Sequence, residues 1–188
     1  MGADCYVGPV PADAVIAPLA AGDVDRLVDV VEAALPSRRS EPPAERRDRI
    51  ARRLRWALAS EPDGAWVARA GDEPSGIAIA LRSGGVWVLS LLAVSPRAQS
   101  GGLGGALLRQ ALAYADGCHG GMIAASQDPR ALRAYARAGF DLRPSVAASG
   151  AVDRSAIPAG LALEPDGPVF TRGALGTLRP FLPTGSFL

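Results

Sequence analysis

Val86 to Gly105, VWVLSLLAVSPRAQSGGLGG, is the stretch whose reading decides the fold. In its first part, Val86 to Val94, Ser90 is the one polar side chain, and several of the others are β-branched or aromatic. That pattern predicts a strand buried on both faces. Ser95 and Pro96 end it, and Gln99-Ser-Gly-Gly-Leu-Gly-Gly opens an amphipathic helix expected over Ala106 to Ala115. A glycine-rich turn at a helix start leaves several backbone N–H groups unpaired and converging, with the positive end of the helix dipole behind them. Such a place binds an anion, most often a phosphate, and glycine lets the ligand come close where a Cβ would block it. The same residues also suit an ordinary strand–turn–helix whose glycines only permit close packing.

Upstream, Val15-Ile16-Ala17 predicts a short edge strand stopped by Pro18. Asp23 is expected to cap a helix with apolar residues at Val24, Leu27, Val28, Val31 and Leu35, and Pro36 ends it. A second helix, about Ala44 to Ala59, buries Ile50, Leu54, Ala57 and Leu58. From Pro36 to Trp56 there are eight arginines against Glu41, Glu45 and Asp48, a local excess of +5 that leaves the rest of the chain near −4. That face reads either as solvated and laced with i,i+4 pairs or as a basic wall for an acidic acceptor or partner. Ala65 to Ala70 and Gly76 to Leu81 predict two strands joined by the loop Gly71 to Ser75.

Downstream, Met122 to Ala125 predicts a short apolar strand. Asp128 caps the next helix, Pro129 fills its first position, Gly139 ends it and Phe140 starts a strand. Leu161 to Glu164 and Pro168 to Thr171, around Pro165-Asp-Gly167, predict a hairpin that completes the sheet. Antiparallel strands followed by strand–helix–strand predict an α/β (α+β) fold with a mixed sheet and helices on both faces. The organisation expected is a loose N-terminus over 1–13, a domain over 14–150 and a Pro/Gly-rich segment over 151–188.

Composition narrows the chemistry. The 188 residues suffice for one domain with a substantial core, and 48% hydrophobic with 21% charged content is that of a soluble globular protein. A net charge of +1 gives no global field for nucleic acid or membrane. All 20 basic residues are arginine, so a Walker loop is excluded for want of lysine. Cys5 and Cys118 are isolated and His119 is the single histidine, which argues against a metal site and a Ser-His-Asp triad. The opening MGADCYVGPV lacks the charged start and apolar run of a signal peptide, so a cytoplasmic setting is expected.

Two motifs then point to a family. Val94-x-Pro96-x-x-Gln99-x-x-Gly102-x-Gly104 resembles the acyl-CoA pyrophosphate loop of the GNAT superfamily of N-acetyltransferases, Arg/Gln-x-x-Gly-x-Gly/Ala. Ala131, Tyr135, Gly139 and Phe140 match the same family's later helix motif, and Asp128 stands where the family often has Asn, in a chain with no asparagine. The motifs come in the family's order, and the resemblance covers roughly residues 14 to 150.

That resemblance implies a mostly antiparallel sheet whose central strand splays from its neighbour, with the pantetheine arm of acetyl-CoA in the gap. Leu92, Ala93 and Val94 would meet the arm. Gln99, Ser100, Gly101, Gly102, Leu103, Gly104 and Gly105 would hold the pyrophosphate, with Asp128 beside the cofactor. Tyr135 would be the general acid for the departing thiolate. A neutral primary amine, on a small molecule or a peptide, would attack the thioester, and a backbone N–H of the central strand would stabilise the tetrahedral intermediate. Neither Ser90 nor Glu41 or Glu45 stands out as the base.

Two alternatives stay beside this one. The first is a non-catalytic acyl-CoA-binding or partner-pairing domain of the same fold. The second is a dinucleotide-binding protein, because Gly102-Leu-Gly104 resembles part of G-x-G-x-x-G; it fits poorly, since seven residues separate Val94 from Gly102. Under any of these readings an exposed last strand would suit a homodimer.

Overall fold

The computed structural model describes residues 14–36, 41–143, 146–149, 162–165 and 168–175. The seven-stranded sheet runs β1 (Ala14–Pro18), β2 (Ala65–Ala70), β3 (Glu73–Ser83), β4 (Val86–Val94), β5 (Gly120–Ala124), β9 (Val169–Gly173), β6 (Asp141–Arg143) in spatial order. Every neighbouring pair is antiparallel except β4 with β5. A doubly wound parallel sheet, which the dinucleotide alternative requires, is therefore excluded. β7 (Val146–Ser149) and β8 (Ala162–Pro165) pair separately.

Two apolar clusters sit on opposite faces of this sheet. Helices α1 (Val24–Ala34) and α2 (Pro43–Ser60) cover one face, where Leu27, Leu54, Ile77, Ile79 and Leu91 are buried. Helices α3 (Leu103–Ala113) and α4 (Pro129–Arg137) cover the other, with Trp87, Leu107, Leu108, Ile123 and Phe170 buried. Trp87 is fully buried and its indole N–H donates to Ala111 O at 2.9 Å, which fastens β4 to α3. β4 is thus buried on both faces, as its apolar run requires.

The strand bounds of β2 and β4 match the sequence reading, and other elements differ for local reasons. β3 begins at Glu73 rather than Gly76, because a register shift after Ala68 accommodates Pro74 inside the strand; the turn shrinks to Gly71-Asp72, with Gly71 at φ +60°. Helix α3 begins at Leu103, since Gly102, at φ +79°, already turns the chain into it.

Asp23 takes the N-cap position of α1 as expected, but its side chain makes no capping bond to the helix. It ends a short 3-10 turn, takes the Ala20 N–H at 3.0 Å and pairs with Arg69 on β2, so it ties the helix start to the sheet. The expected hairpin of the last strands is also corrected. β8 pairs with β7, whereas β9 enters the main sheet between β5 and β6.

Three arginines of α2 pair across to α1 rather than along their own helix. Arg55 pairs with Asp25 at 3.4 Å, Arg47 with Asp29 at 2.7 Å and with Glu32, and Arg46 with the α1 end carbonyl of Leu35. Asp25, Asp29 and Glu32 recur at helical spacing on α1, so the excess charge of one helix is answered by its neighbour. Arg46 also complements the negative end of the α1 dipole.

Candidate active site

The site begins where a ladder ends. β4 and β5 pair from Val86↔Gly120 to Leu89↔Ile123, then part. β4 continues along β3 to Gly76↔Val94, so backbone groups of its last residues that face away from β3 have no strand partner among the described residues. β5 leaves because its end belongs to β9: Ala124 pairs with Val169, and Ala125 N–H donates to Pro168 O at 3.0 Å.

Ser90 marks the divergence. The register jumps from Ile79↔Leu91 to Ala80↔Leu89, which makes Ser90 an extra, bulged residue. The bulge changes the strand's parity. Trp87 and Leu89 belong to the α3/α4 face, but beyond it Leu91 and Ala93 belong to the α1/α2 face, and Leu92 and Val94 turn to α3/α4. Ser90 is 6% exposed, and its hydroxyl and carbonyl both accept from Nη2 of Arg53 on α2. Burial, with repulsion from Arg49, lowers the Arg53 pKa to about 10, so the guanidinium stays charged at neutral pH.

At the end of β4 the chain makes a 3-10 turn, Pro96–Ala98, and enters the glycine loop. Gln99 Nε2 donates to Val94 O at 2.9 Å, so this side chain braces the loop against the strand. Ser100 is held at φ +68° and Gly102 at φ +79°; the left-handed serine stores on the order of 1–2 kcal/mol of strain. The first helical bond runs from Ala106 N–H to Gly102 O at 3.0 Å. The amides of Leu103, Gly104 and Gly105 therefore have no intrahelical acceptor, and Gly102 offers no capping side chain. Buried Leu103 anchors the first turn. A Cβ at Gly104 would meet nothing closer than Val94 Cγ2, at 3.6 Å, so the protein's own packing does not demand glycine there.

Tyr135 is 5% exposed and packs edge-on against Phe170 of β9, with ring centroids 5.5 Å apart. It shares the α3/α4 cluster with Leu103, against which Leu92 and Val94 also pack. The structure therefore brings Tyr135 and the open end of β4 to the same face. Burial, and then the charge of Asp128, raises the tyrosine pKa, which keeps the phenol a proton donor across the neutral range.

Asp128 is the N-cap of α4: its Oδ1 accepts the Arg130 N–H at 2.8 Å, and its carboxylate also holds the Arg130 guanidinium at 2.6 Å. Those bonds, the Arg130 side chain first, lower its pKa. Its charge is thus largely answered by Arg130. Just before α2, Glu41 accepts from Arg49 Nη2 at 2.5 Å, and on the helix Glu45 is exposed. Among the described residues no group of three or more His, Cys, Asp or Glu could hold a metal ion, and no helix is long and apolar enough to cross a membrane.

Comparison with known proteins agrees with this geometry. The profile of the Acetyltransferase (GNAT) family matches residues 27–140, and the chain belongs to that family. Its fold is shared by solved structures of low identity. The ribosomal-protein-S18-alanine N-acetyltransferase of Escherichia coli superposes at TM-score 0.62 with 16% identity, over 90% of this chain and 99% of that one. The PaiA N-acetyltransferase of Thermoplasma acidophilum, solved with coenzyme A, gives 0.61 and 13%, over 86% and 99%. The diaminobutyrate acetyltransferase of Paenibacillus lautus, solved with its substrate and coenzyme A, gives 0.55 and 16%, over 87% and 96%. No curated protein gives a significant sequence match.

The strand end, the first turn after the glycine loop and Tyr135, all singled out in the sequence, lie in one cluster on the α3/α4 face. Sequence reading missed Arg53, one of six arginines on α2, and it noted Ser90 without the bulge. The solitary polar residue in an apolar strand was the available signal.

Proposed function

We propose that the chain is an N-acetyltransferase that moves an acetyl group from acetyl-CoA to a primary amine of a small molecule or peptide. One observation carries the reading: β4 leaves β5 after Leu89 and runs with an open backbone edge to a glycine loop at the α3 N-terminus. An amide-bearing arm can pair with that edge as a strand would, while the amides of residues 103–105 and the helix dipole receive a pyrophosphate. The room at Gly104 and the coenzyme A in two structures of this fold support the same ligand.

Acetyl-CoA supplies the activated acyl group, and the chain's residues do the rest. The backbone of Leu92–Val94 orients the arm, and residues 99–105 fix its phosphates, with Gln99 bracing the loop. Backbone N–H groups of the open half of β4 stabilise the oxygen that becomes negative as the amine attacks. Tyr135, kept protonated by burial, gives a proton to the departing sulfur. The amine arrives neutral or loses its proton to water.

A non-catalytic acyl-CoA-binding domain is the second reading, favoured by the ties of Glu41 to Arg49 and the exposure of Glu45, which leave no carboxylate of that segment assigned as base. Calorimetric titration with acetyl-CoA, followed by thiol release in the presence of an amine panel, separates the two. Saturable binding with amine-dependent thiol release supports the enzyme. Binding without turnover across the panel supports the second reading, and absence of binding overturns both.

A further inference from the structure

We propose that Arg53 is a positioning residue: reaching from α2, it pins the Ser90 bulge and so sets the open half of β4 in register with the thioester carbonyl of acetyl-CoA. This rests on the acetyl-CoA reading above.

A bulge is the least constrained point of a ladder, because its extra residue lacks a cross-strand partner. Here it falls at the first residue of the open half, where β5 no longer supports β4 on its other side. Something else has to hold it. The Nη2 group of Arg53 carries two hydrogens, and both the carbonyl and the hydroxyl of Ser90 accept from it. The clamp is charge-assisted, part-buried and attached to a helix whose Ile50, Leu54 and Ala57 are locked in the core. It acts where the strand's parity changes. If Ser90 slipped back into a regular ladder, Leu91 and Ala93 would exchange faces with Leu92 and Val94, and the backbone donors of the open half would move with them. Arg53 thus connects α2 to the backbone that meets the acyl group. A lysine reaches with a single ammonium on a flexible stem and holds two acceptors less rigidly.

The test needs no identified acceptor. Acetyl-CoA labelled with carbon-13 at the thioester carbonyl is bound to the wild-type chain and to Arg53→Met, and the carbonyl stretch is read by isotope-edited infrared spectroscopy. The wild-type chain is expected to move the stretch to lower wavenumber than in free acetyl-CoA. Arg53→Met is expected to return it at least halfway, with the Kd for CoA changed by less than about threefold, since residues 99–105 hold the phosphates. Thiol release to water should fall about tenfold at unchanged KM. Should Arg53→Met fail to fold by circular dichroism, Arg53→Lys is read the same way, with a smaller return. A variant that binds acetyl-CoA and keeps the full wild-type shift overturns the inference alone. A wild-type chain that binds neither acetyl-CoA nor CoA overturns the parent reading and the inference with it.

Discussion

Val86–Leu89 and Ser90–Val94 are consecutive halves of one strand with similar apolar composition, yet the first is paired on both sides and the second only with β3. The closed half carries fully buried Trp87 and belongs to the core. The open half is buried by side-chain packing but leaves one backbone edge without a strand. The difference teaches that the site was made by removing a partner rather than by adding reactive side chains. What removes it lies elsewhere in the chain: β9 holds the end of β5, and Asp128 with Pro129 turns the chain into α4.

The largest effect should come from the closed half. Trp87→Ala deletes a fully buried indole and its bond to Ala111 O, and should cost about 3–5 kcal/mol, lowering Tm by roughly 10 °C in a thermal melt. A loss below about 1 kcal/mol would mean that β4 is not the core strand described.

Gly104→Asp is the matching change beside the open half. Its Cβ has room and its carboxylate sits in the first turn of α3, so Tm should hold or rise slightly while acetyl-CoA affinity falls by about 10²-fold or more. Opposite signs on stability and binding are the signature, read by melting and calorimetry on one sample.

Tyr135→Phe keeps the contact with Phe170 and removes the proton donor; turnover with an amine acceptor should fall about 10²-fold at nearly unchanged KM. The same variant has a pH signature. Because the folded-state pKa of Tyr135 is raised, its neutral form favours folding fully below the ordinary tyrosine value of 10.0, and that stability is lost as pH rises above it, when the unfolded chain ionises first. Melting curves of wild type should therefore fall more steeply than those of Tyr135→Phe at strongly alkaline pH.

The smallest effect is expected at Asp128, whose pKa is lowered chiefly by Arg130. Its contribution is present above the ordinary aspartate value of 3.8 and lost as pH falls through the lower folded-state value. Asp128→Asn keeps a helix cap but drops the ion pair, so the neutral-pH loss should be a few tenths of a kcal/mol. Its melting curves should also lack the Asp128 part of the acid-side slope.

Much of this was legible in the sequence because it is encoded locally. The apolar run of β4, the proline after it, the glycines before α3 and the cap at Asp128 each act within a few residues, and strand and motif were read from them. The bulge at Ser90 depends on register with β3, and the clamp by Arg53 spans 37 residues of sequence. Neither has a local signature among six arginines of similar spacing. The order of the last strands escaped for the same reason: β8 and β9 are close in sequence but take partners in different sheets. The charge excess of α2 was visible, but its answer, the acidic row of α1, emerged only once the two helices were packed.

The most direct measurement is amide hydrogen exchange along β4, without ligand and at saturating acetyl-CoA, with the closed half as internal control. The account predicts that acetyl-CoA slows exchange in Ser90–Val94 and in residues 99–105 and leaves Val86–Leu89, already paired on both sides, unchanged. Bound acetyl-CoA that protects neither Ser90–Val94 nor the glycine loop would contradict it.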